Sequence, residues 1–167
     1  MSAQAAQRES LWQRWVVNPV TTQLSQGLEP RKVTLAIAFG VTLGLFPLLG
    51  LPTLVSLAVG IPLKLNQPVL QAFRELTYPL QLSTILLFIR GGEWLFHVPH
   101  TALSVPGMLH QFFASPARFM SDFGLLGLYA VVVWGLIAPV LLALIYFPVL
   151  PLIERLSKRL ALARHAP

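Results

Sequence analysis

Apolar residues along the chain gather in three long runs with basic or polar residues at their edges. The first run covers residues 33–63, between Lys32 and Lys64. It exceeds the roughly 20 residues of one helical membrane crossing and falls short of two crossings. Its middle contains two prolines and a glycine within six residues, namely Pro47, Gly50 and Pro52. Because proline removes a backbone donor and clashes with the preceding turn, the pattern predicts two short helices joined by a break.

The second run, residues 66–96, repeats this arrangement with Pro79 near its centre. Both stretches read aromatic-Pro-Leu, followed by Leu and Thr, and the two aromatic residues are 32 positions apart. We therefore predict a second break at Pro79 and a helix end at Gly91-Gly92. Two interrupted segments in corresponding positions are typical of transporters built from repeats. Chance matching in leucine-rich sequence is the alternative to a true internal repeat.

The third run begins after a segment rich in proline and histidine. Residues 97–123 are predicted to form a loop on the periplasmic surface, with a short amphipathic helix around residues 107–113. Residues 124–150 are long enough to cross a membrane with some tilt. The predicted membrane domain therefore extends over residues 31–153, and residues 154–167 form a basic cytoplasmic tail.

The N-terminal segment, residues 1–30, has an amphipathic pattern. Trp12 and Trp15 fall on one helical face, with arginines on the other. Aromatic residues beside arginines suit the headgroup level, so we expect an interfacial helix that Pro19 ends or kinks. A frayed tail is the alternative.

Composition supports a membrane location for the whole chain. Of its 167 residues, 55% are hydrophobic and only 11% are charged, whereas a soluble domain has roughly 25% charged residues. We therefore predict an all-α, polytopic integral protein of the bacterial inner membrane. Basic clusters near both ends predict that both termini are cytoplasmic, and that the first run enters from the cytoplasm and returns to it. A single kinked crossing is the alternative for that run. The net charge of +6 lies beside apolar runs rather than in an aromatic-interleaved patch, which argues against nucleic acid as a partner.

Ionisable residues inside apolar segments are costly and are therefore candidates for function. Arg74 and Glu75 form one such pair, four and three residues before Pro79. Arg74 could bind a phosphate or carboxylate as a fixed cationic fork, and Glu75 could balance its charge. The alternatives are that both snorkel, or pair with Arg90 and Glu93. The other candidate substrate-binding residues are Thr53, Asn66, Tyr78 and Gln81; Asn66 is also expected to cap the helix that follows it.

Catalytic patterns are weak. The chain has no cysteine, which excludes thiolate chemistry and cysteine metal sites. His97, His100 and His110 occur in one loop, but the carboxylates near them, Glu93 and Asp122, do not complete a convincing metal site. Nucleophile elbows and paired carboxylates are missing as well. We expect a protein without cofactor or metal that is not an enzyme.

Several motifs resemble an uncharacterised family of bacterial inner-membrane proteins, known only as a domain of unknown function. They are Glu29-Pro30-Arg31-Lys32, Ala36 to Gly44, Phe46-Pro47-Leu48 with Gly50 and Thr53, and Leu65-Asn66-Gln67-Pro68. The resemblance covers residues 18–155, and the chain departs from the family pattern at Arg74-Glu75 and Tyr78-Pro79. Members fused to glycosyltransferases that use polyprenyl-phosphate sugars imply lipid-linked substrates.

Two functional hypotheses follow from these patterns. The first is a small transporter or flippase-like protein that handles an anionic lipid, a polyprenyl phosphate or a phospholipid. The second is a non-catalytic membrane scaffold for a glycosyltransferase or an envelope-assembly complex. Membrane lipids are the expected partners in the first case. A glycosyltransferase partner and a homo-oligomer both remain open. A small ion or solute channel is a more distant alternative.

Overall fold

The computed structural model describes Gln13, residues 17–100 and residues 104–164. Over these residues the chain consists of helices and short links, so the all-α prediction is confirmed. The helices are α1 (Asn18–Ser25), α2 (Pro30–Gly44), α3 (Pro52–Gly60), α4 (Gln67–Leu95), α5 (Val105–Ala114) and α6 (Pro116–Arg164).

The predicted break in the first apolar run is confirmed. Helix α2 ends at Gly44 and α3 begins at Pro52, which lies in the first helical turn, where a missing N–H costs nothing. Between them Gly50 has a φ of +79°, in the left-handed region that favours glycine. With 15 and 9 residues, α2 and α3 are about 22 and 14 Å long. Each is therefore shorter than the roughly 30 Å hydrocarbon core of a bilayer.

The predicted break at Pro79 is wrong. Helix α4 is continuous over 29 residues with Pro79 inside it, and it also passes through Gly91 and Gly92 before ending at Leu95. A single proline removes one backbone hydrogen bond and leaves one carbonyl free, which a packed helix tolerates. Here that carbonyl belongs to Glu75, a residue that is itself exposed.

The helices around the last run extend beyond the segments predicted from the apolar pattern. The short helix in the loop is present as α5, but α6 begins at Pro116, eight residues before the predicted crossing at 124–150. It then continues for 49 residues through Pro139, Pro148 and Pro151 into the predicted basic tail. Most of residues 105–123 are therefore helical, and one helix contains both the predicted crossing and most of the predicted tail.

The N-terminal prediction is tested only in part. Helix α1 starts at Asn18 with Pro19 in its first turn and continues to Ser25, so the chain is helical beyond Pro19 and does not end a helix there. Trp12 and Trp15, which define the predicted interfacial face, lie outside the described residues.

Helices α2 and α4 are parallel and closely packed. A Cβ added to Gly40 would lie 2.6 Å from the carbonyl oxygen of Leu70, and one added to Gly44 would lie 2.8 Å from the Cβ of Thr77. These two glycines, four residues apart, let the backbones approach as small residues do in membrane helix pairs. The contacts advance in the same direction on both helices, so α3 must return the chain to the starting end.

Helix α6 is antiparallel to this pair. A Cβ on Gly92 would lie 2.8 Å from the Cβ of Tyr129, and one on Gly91 would lie 3.1 Å from Val133. Two hydrophobic clusters follow from this arrangement. One joins α1, the first halves of α2 and α4, and the C-terminal part of α6 around Val33, Val69 and Ile153. The other joins the end of α2, the end of α4 and the middle of α6 around Leu45, Phe88 and Ala130.

Candidate functional site

A row of polar side chains runs along one side of α4, and its first two members, Gln67 and Gln71, lie against α3. Gln67, Gln71, Arg74, Tyr78 and Gln81 follow at steps of three or four residues, which places them on one side of a helix. Neighbouring faces of α4 are apolar, with Leu76, Leu80 and Leu82 exposed. Three of the six predicted substrate-binding residues, Arg74, Tyr78 and Gln81, belong to this polar row. A fourth, Glu75, is adjacent to Arg74 in the sequence.

Arg74 is the centre of a hydrogen-bonded network between α3 and α4. Its side chain is only 10% exposed. Its Nε donates to Oε1 of Gln71 at 2.7 Å, and its Nη2 forms an ion pair with Glu75. The Nε2 of Gln71 in turn donates to Oγ of Ser56 on α3 at 3.0 Å. The predicted pairing of Arg74 with Glu75 is therefore present, and the alternative pairing with Arg90 and Glu93 is not.

The network holds more donors than acceptors. A guanidinium group carries five N–H donors, of which the described contacts of Arg74 engage Nε and Nη2. At the other end of the row, Nε2 of Gln67 is buried and has no hydrogen-bond partner among the described residues. A buried donor without a partner costs about 1–3 kcal/mol. The chemical group that this network lacks is an acceptor.

Glu75 differs from Arg74 in its exposure. Its side chain is 46% exposed, so the carboxylate lies at the rim of the network while the guanidinium lies inside. Tyr78, one turn further along α4, is half-exposed on the same side. Thr53 is exposed, and only its backbone takes part, because its carbonyl accepts a 2.8 Å hydrogen bond from Oγ of Ser56.

Two predicted site residues, Asn66 and Gln81, make hydrogen bonds that stabilise the fold. Asn66 caps α4, since its side chain accepts from the Val69 N–H at 3.1 Å, and its Nδ2 donates to Oε1 of Gln23 at 2.7 Å. Gln81 is 1% exposed and its Nε2 donates to the Phe46 carbonyl at 2.7 Å. Asn66 was also predicted as a helix cap, and that prediction is confirmed.

The end of α2 at the break is completed by side chains from two other helices. Carbonyls at a helix end have no partner within the helix. Gln81 of α4 donates to the Phe46 carbonyl. Nε1 of Trp134 on α6 adds a 3.1 Å hydrogen bond to the Thr42 carbonyl, which also accepts from the Leu45 N–H at 3.3 Å. The rings of Phe46 and Trp134 also meet edge to face, with centroids 5.0 Å apart. The break is thus a fixed part of the bundle.

A second charged cluster, which the sequence did not assign to function, lies at the other end of α4. Glu93 is fully buried, and its Oε2 is 2.6 Å from Nη1 of Arg90 and 2.8 Å from Nδ1 of His100. The spacing of three residues between Arg90 and Glu93 is a recognisable helical ion-pair pattern. Over the part of the chain that the structure describes, groups of three metal-ligating side chains are not found.

The apolar character of α6 is the strongest membrane signal in the described structure. Within the described ranges one helix, Pro116–Ala163, is long and apolar enough to cross a membrane, and only 6% of its most apolar stretch is buried. Large apolar side chains are also exposed on α3 and α4, including Leu54, Leu57 and Leu87.

Comparison with known proteins places the chain in a group of bacterial sequences. A family model described as "Uncharacterized protein conserved in bacteria (DUF2062)" matches residues 13–161. No curated protein and no solved structure matches the chain.

Proposed function

The chain belongs to the DUF2062 family of bacterial proteins, and from that premise we propose that it is a multi-pass protein of the inner membrane that binds and moves an anionic lipid. The lipid is a polyprenyl phosphate or a phospholipid. The observation that carries the proposal is the donor-rich network around Arg74, which is nearly buried in a bundle with an apolar exterior. Phosphate groups present only acceptor oxygens when ionised, so they complement such a network.

Membrane embedding is supported by where the apolar side chains lie. An exposed leucine is unremarkable by itself, but the large apolar residues exposed on α3, α4 and α6 together form surfaces that water would not tolerate. Lipid replaces water as the solvent of these surfaces. In this arrangement α6 crosses the bilayer, and α4, which is long enough at 29 residues but less apolar, crosses beside it while packed against α2 and α6. The α2–α3 hairpin enters from the cytoplasm and returns to it.

The headgroup binds where Arg74 approaches the rim of the bundle. Glu75 is half-exposed, so its carboxylate can leave the guanidinium and be replaced by a phosphate without disturbing the buried bond to Gln71. Release restores the ion pair, and the exchange between the two anions gives the site a way to let the lipid go. The guanidinium fork matches two phosphate oxygens at once, which an ammonium group cannot do.

Native mass spectrometry of the detergent-purified protein tests this assignment. The wild-type protein should carry an anionic lipid. Arg74→Leu/Glu75→Leu removes both charges together, so it should fold with a near-normal melting temperature and lose that lipid. Arg74→Lys should fold and retain less of it. Arg155→Leu, which removes an exposed arginine on α6, is the control and should retain it.

A well-folded double-leucine variant with wild-type lipid stoichiometry would show that the site is elsewhere. A flipping assay with fluorescent lipids in proteoliposomes then separates binding from movement. Wild-type protein that binds the lipid without accelerating its exchange between leaflets contradicts the transport part of the proposal.

A membrane scaffold for a glycosyltransferase or an envelope-assembly complex is the second candidate. It is favoured by the unpartnered apolar side chains along α6, such as Leu136, Leu144 and Phe147, which are suited to packing against another membrane helix. This role does not need Arg74. Normal complex assembly by the double-leucine variant, together with loss of assembly on changing Leu144 to alanine, would favour the scaffold.

A further inference from the structure

The cluster of Arg90, Glu93 and His100 has features that simple structural ion pairs lack. Glu93 contributes one oxygen, Oε2, to both cationic partners, and no part of its side chain is exposed. Burial of a carboxylate is unfavourable unless the charge is compensated. Both compensating groups, however, extend towards the outside, since 42% of the Arg90 side chain and 76% of the His100 side chain are exposed.

This geometry makes Glu93 an orienting group. An ionised carboxylate only accepts hydrogen bonds, so Nδ1 of His100 carries the proton in the contact with Oε2, and Nε2 is left for another partner. Arg90 uses Nη1 for Glu93 and keeps further N–H donors on the same planar fork. The two outward groups are held within 3.5 Å of each other, measured from Nη1 to Nδ1.

The surroundings of the cluster match the headgroup level of a membrane. Trp94 is 78% exposed beside Glu93, and the ring of Phe96 stacks on Tyr129 of α6 with centroids 4.3 Å apart. Aromatic residues concentrate at this depth, where lipid phosphates also lie. Arg90 follows Arg74 by 16 residues, which corresponds to about 24 Å along α4. The two clusters are therefore near opposite ends of the helix.

We propose that Arg90 and His100, positioned by Glu93, form a second anion site that binds a phosphate group at the C-terminal end of α4. Arg90 donates to two phosphate oxygens, and His100, when both of its ring nitrogens carry a proton, donates from Nε2 to one of them. The phosphate belongs either to a lipid headgroup or to free phosphate. The lipid source depends on the membrane embedding proposed above, whereas the site itself does not depend on Arg74.

The test uses the full-length protein in detergent with dioleoylphosphatidylglycerol as the lipid probe, counted by native mass spectrometry. Wild-type protein should bind two of these lipids. Arg90→Gln and His100→Gln should each bind one, with an affinity loss of about tenfold or more at the altered site. Arg74→Leu/Glu75→Leu should also bind one, and a variant that combines it with Arg90→Gln should bind none.

Matched controls separate this site from general effects of the loop. His97 is an exposed residue in the turn after α4, with a φ of 54°. His97→Asn removes its imidazole and introduces a residue that tolerates a positive φ. It should bind two lipids. Glu93→Gln should lower the affinity of the site for phosphate, because the neutral amide no longer holds the side chains of Arg90 and His100 in place by ion pairing. If Glu93→Gln does not fold, Arg90→Gln and His100→Gln still test the site, because both side chains are partly exposed.

A second arm identifies the source of the phosphate. Inorganic phosphate alone is titrated into lipid-stripped protein while the melting temperature is followed. The site is assigned to free phosphate if two results are seen together. Phosphate raises the melting temperature of the wild-type protein but not that of Arg90→Gln, and Arg90→Gln still binds two lipids. If folded Arg90→Gln and His100→Gln keep both lipids and the phosphate response, the second site does not exist, whatever the result at Arg74.

Discussion

Nε2 of Gln81 donates a 2.7 Å hydrogen bond to the carbonyl oxygen of Phe46, from the middle of α4 to the break that follows α2. A broken helix inside an apolar environment leaves backbone groups without partners, and such groups cost several kcal/mol in lipid. Gln81 removes that cost at the Phe46 carbonyl, and Trp134 adds a second hydrogen bond to the Thr42 carbonyl, which also accepts from the Leu45 N–H. The break is stable because the neighbouring helices supply its hydrogen bonds.

Gln81→Met should therefore destabilise the protein. Methionine has a similar length and leaves the Phe46 carbonyl buried without a donor, so the free energy of unfolding should fall by about 1–3 kcal/mol. Titration with a denaturing detergent measures this change. Ser83→Ala, two residues along on the exposed side of α4, is the control and should alter stability by less than about 0.5 kcal/mol. Equal effects at the two positions would mean that the bond is dispensable.

Gly40→Ala should disrupt the packing of α2 on α4. The added Cβ would lie 2.6 Å from the Leu70 carbonyl oxygen, and backbone cannot move aside as a flexible side chain can. We expect a loss of at least about 2 kcal/mol, seen as a lower melting temperature in detergent. Gly135 of α6 has open space around its Cβ position, so Gly135→Ala should be neutral or stabilise by up to about 1 kcal/mol. A tolerated Gly40→Ala would contradict the close α2–α4 contact.

Asn66 makes two hydrogen bonds that substitutions can separate. Asn66→Asp keeps the oxygen that accepts from Val69 and loses the donor to Gln23, whereas Asn66→Ala loses both. The alanine variant should therefore be less stable than the aspartate variant by about 1 kcal/mol, the usual worth of a helix cap. Unfolding titrations of both variants measure the difference. Equal stability would show that the cap contributes nothing.

The proposed topology is open to labelling because the chain contains no cysteine. Parallel α2 and α4 with antiparallel α6 put the C-terminal end of α4 and the N-terminal end of α6 on one side. Cysteines introduced at Ser104 and Ser121 should react with an impermeant thiol reagent on intact spheroplasts. Cysteines at Lys64 and Lys158 should react only after lysis. Labelling in the reverse pattern would show that the true topology is the inverse of the proposed one. In that case a reporter fused after residue 160 would also give a periplasmic signal.

The two proline-containing runs show what sequence can and cannot predict about this fold. Pro47, Gly50 and Pro52 together remove two donors and introduce a left-handed residue, and local chemistry alone then forces a break. Pro79 removes one donor, and its effect depends on packing around it. The tight contacts of α4 with α2 through Gly40 and Gly44 keep the helix continuous, and those contacts are between residues about 30 positions apart.

The candidate site was predictable to a similar extent. Arg74 and Glu75 stand out because charges are rare in apolar segments, and the structure places them together. The roles of Gln81 and Asn66 depend on Phe46 and Gln23, partners distant in sequence, so a pattern could not distinguish binding from capping. Arg90 and Glu93 carried the same signal as Arg74, but the contribution of His100 depends on how the chain turns after α4.

The length of α6 has a consequence for its position relative to a membrane. Its 49 residues correspond to about 73 Å along a helix axis, more than twice the roughly 30 Å that the hydrocarbon core requires. A helix of that length cannot lie wholly inside the core of one bilayer, so a crossing by α6 leaves part of it in the headgroup layers or in water. The basic residues near its C-terminal end, Arg155, Lys158 and Arg159, suit such a position.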